Sequence, residues 1–66
     1  MPKFAVFFAD DAAVGVARVE ASDAAAAEAQ VLHDHPDGSV KAVGDEKVTA
    51  ENRHRMLAKW MQALNG

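Results

Sequence analysis

Two short hydrophobic runs open the chain, separated by small and acidic residues. The run Phe4-Ala5-Val6-Phe7-Phe8 is aromatic and β-branched, which favours a strand over Lys3 to Ala9. Val14 to Ala21 predicts a second strand, with Gly15 as its weak point. Because Asp10 to Ala13 has the composition of a turn, the two strands predict a β-hairpin.

The first strand is predicted to be apolar on both faces. Side chains alternate along a strand, so Phe4, Val6 and Phe8 share one face and Phe7 lies on the other. One helix covers only one of these faces. The second face therefore needs either the last helix of the same chain or a second subunit, and the latter predicts a homodimer.

The middle of the chain predicts a helix followed by a strand. Ser22 is a suitable N-cap with Asp23 in the first turn, and Ala24 to Asp34 has high helix propensity. The run of four alanines predicts close packing of this helix on the sheet. Pro36 ends it, because the residue before a proline avoids the helical region. A short third strand is predicted at Ser39 to Val43.

A second helix is predicted over Ala50 to Leu64, capped by Thr49 and stopped by Asn65-Gly66. The order is then β-β-α-β-α, an α+β fold. Crossover connections between parallel strands are right-handed, so the third strand is predicted to run parallel to the second and to pair on the free side of the first. This gives a three-stranded antiparallel sheet of order 2-1-3 packed by two helices, which resembles half of a ferredoxin-like domain.

Composition narrows the class of protein. The 66 residues are enough for one small domain, residues 1-66, and half of them are hydrophobic. The absence of cysteine excludes disulfides and thiolate metal sites and fits a cytoplasmic protein. The net charge of −3 argues against a nucleic-acid partner, since such proteins carry a basic surplus. No apolar run is long enough to span a bilayer, so no membrane partner is predicted.

Sequence motifs for catalysis or cofactor binding are missing. The four glycines are scattered, so neither a P-loop nor a dinucleotide-binding motif is present. Ser22 and Ser39 have no base beside them in the sequence. We therefore predict no catalytic residue and no cofactor.

Three polar residues form a candidate site. Glu28 falls on the apolar arc of the first helix, and so does His35, seven residues later. His54 could join them in a pocket completed by dimerisation. The favoured interpretation is that Glu28 lies at the edge of the arc or pairs with Arg18 or Arg53. A metal site at His33 and His35 is disfavoured, because residues two apart on a helix diverge, and no metal is predicted.

The last helix is amphipathic, with one large apolar stripe. Met56, Trp60 and Met61, together with Phe7 on the hairpin, are candidates for a surface that binds a partner, since methionine adapts to varied shapes and tryptophan is frequent at interface hot spots. The alternative, favoured here, is that the stripe is core. The basic residues of this helix are interpreted as a solvated face.

These observations favour a non-enzymatic module that binds another protein, either as a homodimer or as a small accessory, regulatory or inhibitory protein. A phage or bacterial defence context would suit an inhibitor of this size. The general shape resembles that of several small bacterial and phage regulatory proteins. The alternative is a small ferredoxin-like enzyme or ligand-binding domain completed by dimerisation.

Overall fold

The computed structural model describes residues 1–65 and confirms the predicted α+β order. Its elements are β1 (Lys3–Ala9), β2 (Val14–Glu20), α1 (Ala24–Asp34), β3 (Ser39–Gly44), a 3₁₀ turn (Asp45–Lys47) and α2 (Arg53–Asn65). The sheet has the order β2-β1-β3, and β1 pairs antiparallel with both neighbours. Within residues 1–65, neither helix has the length and apolar character that crossing a membrane requires.

The hairpin turn is held by Asp10. Its Oδ1 accepts hydrogen bonds from the backbone N–H groups of Ala12 (2.8 Å) and Ala13 (2.7 Å), while its own N–H donates to the carbonyl of Ala13. Gly15, opposite Phe8 in the register, leaves room for the Phe8 ring, because a Cβ there would lie 3.2 Å from Cζ of that ring. The Phe8 ring thus occupies the space beside Gly15, the residue predicted to be the weak point of β2.

Each face of β1 packs against a different helix. On one face Val6 forms a cluster with Ala27 and Val31 of α1. Ala27 is fully buried, as expected for a small residue that lets a helix approach a sheet. On the other face Phe7 joins Val48 and the apolar side of α2. The last helix therefore covers the second face of the sheet, so a second subunit is not needed to cover it.

The predicted start of α1 at Ala24 is confirmed, whereas its N-cap residue and the start of α2 were predicted wrongly. Asp23, not Ser22, is the N-cap of α1, since its carboxylate accepts the N–H of Ala26. α2 begins at Arg53 rather than Ala50. Thr49 and Asn52 bond reciprocally, backbone N–H to side-chain oxygen in both directions, and this fixes a turn at 50–52 before the helix. α2 continues to Asn65; the predicted stop at Gly66 lies outside the described residues.

Candidate functional site

His35 and Asp10 form a polar pair between the end of α1 and the hairpin turn. His35 is the C-cap of α1, and its backbone N–H bonds to the carbonyls of Val31 and Leu32. Its Nδ1 lies 2.6 Å from Oδ2 of Asp10, and its ring stacks on Phe8 with centroids 4.5 Å apart. Backbone, carboxylate and aromatic ring therefore fix one imidazole orientation.

The electrostatics of this pair follow from its hydrogen bonds. The bond from His35 and the two backbone N–H groups of the turn lower the pKa of Asp10 below its ordinary value of 3.8, so Asp10 is ionised at neutral pH. An ionised carboxylate accepts a hydrogen bond from Nδ1–H, and in that tautomer of the neutral ring Nε2 keeps its lone pair. The pair can thus hold a proton or bind a hydrogen-bond donor at Nε2.

A shallow hollow of about 200 Å³ lies next to this pair. It is lined by Asp10, Asp11, Ala12, Pro36 and Asp37. Three of these five residues carry carboxylates, so a small ligand there would have to be cationic or neutral.

Glu28 has a structural contact away from any shared pocket. Its carboxylate accepts the backbone N–H of Ala42 on β3 at 2.9 Å. It pairs with neither arginine that the sequence offered. Arg18 instead forms an ion pair with Asp45 and donates to the carbonyl of Val48. Glu28 therefore protects the edge strand β3. This contact is compatible with the favoured interpretation, in which Glu28 lies at the edge of the apolar arc.

The three candidate polar residues are not brought together. Glu28 and His35 belong to α1 and its end, on the Val6 face of the sheet, whereas His54 lies exposed on α2, on the Phe7 face. His33 is exposed as well. Within residues 1–65, no group of three or more histidine and carboxylate side chains is arranged to hold a metal ion. The pairing of His35 with Asp10 was missed because the two are separated by 25 residues.

The four candidate partner-binding residues differ in their burial. Phe7 is only 3% exposed and lies 5.8 Å from Trp60, centroid to centroid, so it belongs to the core and is not available to a partner. Met56 and Trp60 are half-buried against the same cluster. Met61 is half-buried outside that cluster, and Leu64, one turn after Trp60, is 48% exposed.

A groove of about 280 Å³ runs between the start of β2 and the start of α2. We call it the α2 groove, and it is lined by Val14, Gly15, Ala50, Arg53, His54 and Leu57. Of the lining residues, Val14 is 49% exposed, and Arg53 and His54 are exposed and carry cationic or polar groups. On a helical wheel Arg53 falls on the same side as the apolar stripe of α2, yet its side chain is exposed. No pattern in the sequence indicates this groove, because it depends on how α2 crosses β2.

Charge is unevenly distributed over the molecule. α2 contains three of the seven Lys and Arg residues of the chain, Arg53, Arg55 and Lys59, and none of its ten Asp and Glu residues. The hollow beside His35, on the other hand, is lined with carboxylates. An acidic protein thus presents one cationic helix.

The comparisons with known proteins show no relative. No protein-family model matches the chain, and no curated protein or solved structure is significantly similar to it.

Proposed function

We propose that the protein acts without catalysis, as a small cytoplasmic interaction module that binds another protein chain, in the first instance a second copy of itself. A regulatory or inhibitory role toward a larger partner is compatible with the same surface. The observation that supports this proposal is the incomplete cover of α2: no residue of this 13-residue amphipathic helix is buried, although its apolar stripe extends from Met56 to Leu64.

The sheet is too small to cover the whole stripe. Met56, Leu57 and Trp60 pack on the Phe7 cluster, whereas Met61 and Leu64 lie beyond it. These two residues are three apart on the helix and therefore adjacent on its surface. We call them the distal α2 patch. A second copy that places its own distal α2 patch against this one would remove apolar area from water on both sides, at about 25 cal/mol per Å².

Light scattering over a concentration series tests the proposal. We expect wild-type protein to show a dimer in the range from about 10 μM to 1 mM, the range in which weak association is observed. Leu64→Lys should remain monomeric and folded, because Leu64 is 48% exposed and lies outside both buried clusters. Gln62→Lys adds the same charge to an exposed position of the same helix and should still dimerise. Wild-type protein that stays monomeric throughout the series would contradict the proposal.

The His35–Asp10 pair favours a second candidate function, a ligand-binding or proton-transfer site that uses Nε2 of His35. The acidic hollow that Asp10 lines would restrict the ligand to a small amine or a neutral compound. We would titrate the protein with small amines and follow the ring signals of His35 by NMR. Saturable shifts at His35 that Asp10→Asn abolishes would support this function; equal shifts at the exposed His33 would show that the effect is not specific.

A further inference from the structure

We infer that the α2 groove binds an extended acidic segment of a partner protein, which adds as a strand to the free edge of β2. This site is separate from the distal α2 patch. Arg53 at the groove and Leu64 in the patch are roughly 17 Å apart along the helix, from a rise of 1.5 Å per residue. The inference therefore does not depend on self-association.

The two edges of the sheet differ in how they are protected. On β3, Glu28 occupies the N–H of Ala42. On β2, the side chain of Gln30 donates to the carbonyl of Glu20 at 2.9 Å and covers that end of the strand. Edge strands without such protection are templates for pairing with another chain. Among residues 1–65, the segment Val14 to Arg18 has β1 on one side and no strand on the other.

The α2 groove begins at this unprotected segment. Val14 and Gly15 form its β2 side. Val16, two residues after Val14, points to the face that packs on Phe7 and α2. A strand added beside Val14 would therefore send every second side chain to the α2 side, where Arg53 and His54 stand.

Charge selects the chemistry of the added segment. Arg53 has no ion-pair partner among the described residues, and no carboxylate lies within α2. Carboxylates on alternate positions of an added strand would supply the missing partner, while its main chain would bond to β2. A membrane surface is a poorer occupant, because most of the apolar stripe of α2 faces the sheet rather than solvent.

The experiment uses the full chain and a capped, fluorescently labelled hexapeptide of alternating valine and glutamate as the probe. We expect saturable binding by fluorescence anisotropy that weakens at least tenfold in Arg53→Glu and falls as salt is raised from about 50 to 500 mM. Lys59→Glu makes the same charge change on an exposed position outside the groove and should bind like wild type. Circular dichroism verifies that both variants are folded.

Four results would overturn the inference. The first is no saturable binding of the peptide at concentrations up to about 1 mM. The second is equal weakening by Arg53→Glu and Lys59→Glu, which would indicate general charge attraction. The third is unchanged affinity for a peptide whose backbone is N-methylated, since such a peptide cannot pair with β2. Binding to phosphatidylserine vesicles in place of the peptide would likewise assign the cationic surface to a membrane. Leu64→Lys should leave peptide binding intact even if it abolishes the dimer, so the two proposals fail separately.

Discussion

His35 and Asp10 connect the end of α1 to the hairpin, through the 2.6 Å contact between Nδ1 and Oδ2. The other oxygen of the same carboxylate is bound by the backbone of the turn after β1. One side chain thus organises the turn and fixes the C-terminus of a helix that is 25 residues away in sequence. A substitution of Asp10 should therefore perturb both the hairpin turn and the C-terminal end of α1.

This pair predicts a dependence of stability on acid. The pKa of Asp10 is lower in the folded protein than its ordinary value of 3.8, first because of the hydrogen bond with His35 and then because of the turn amides. Its stabilising effect is therefore fully present above pH 3.8 and is lost as the pH falls through the lowered value. In urea unfolding, the free energy of unfolding of wild type should exceed that of Asp10→Asn by a constant amount above about pH 5, and the difference should shrink toward pH 2.

The matched control for this measurement is Asp11→Asn. Asp11 is the next residue in the same turn, and it is exposed. The midpoint of urea unfolding of Asp11→Asn should stay near that of wild type at every pH. A constant gap between wild type and Asp10→Asn from pH 5 to 2 would show that the carboxylate of Asp10 does not stabilise the fold through its charge.

Glu28 predicts a local effect on the edge of the sheet. Glu28→Ala removes the acceptor of the Ala42 N–H and should cost about 1 kcal/mol. The amide of Ala42 should then exchange with solvent faster than in wild type, as measured by NMR hydrogen exchange. Glu28→Gln keeps an acceptor oxygen and should preserve most of the protection. Equal protection of Ala42 in Glu28→Ala would mean that this hydrogen bond is not formed in solution.

Gly38 predicts a steric effect where the chain enters β3. A Cβ at this position would lie 2.9 Å from the carbonyl oxygen of Ala9 and 3.2 Å from that of His35. Both are backbone atoms, which cannot turn aside, so Gly38→Ala should lose roughly 1 to 3 kcal/mol of stability. Gly15→Ala is the control, because the nearest atoms there belong to the Phe8 ring, which can shift. Thermal or urea unfolding that ranks Gly15→Ala as the more damaging change would contradict this account.

The packing of Trp60 on Phe7 predicts how much α2 contributes to the stability of the fold. It is half-buried against Phe7, so Trp60→Ala should cost somewhat less than a fully buried tryptophan, about 2 to 3 kcal/mol. Lys59→Ala, at an exposed neighbour, should change stability by less than about 0.5 kcal/mol. Because Trp60 is the only tryptophan, its fluorescence should shift to longer wavelength on unfolding. A near-native unfolding midpoint for Trp60→Ala would mean that α2 is only loosely held on the sheet.

The architecture could be predicted because its signals are local. The aromatic run from Phe4 to Phe8, the alanine-rich helix and Pro36 each specify one element, and the handedness of crossovers orders the strands. The predicted capping role of Thr49 is supported, since its hydroxyl accepts the N–H of Asn52 and its carbonyl accepts that of Arg53. The start of α2 was missed because residues 50–52 form a turn, and helix propensity alone does not distinguish such a capped turn from the first turn of a helix.

The contacts between elements could not be predicted in the same way. Asp10 and His35 come together because β3 begins beside the end of β1, where Ser39 pairs with Ala9. The strand order suggests this proximity, but the register, which decides it, depends on packing along both faces. The α2 groove depends on the crossing of α2 over Val14, and no periodicity in the sequence encodes that angle.

The position of β1 has a consequence for how the protein can come apart. The strand supplies Val6 to the cluster under α1 and Ala5 and Phe7 to the cluster under α2, and within residues 1–65 it is the only strand that pairs with two others. Opening either cluster exposes the middle strand that the other one needs. We therefore expect no partly folded fragment to persist: a protease that cuts within 3–9 should convert the whole chain into short peptides at a single rate, with no resistant half accumulating.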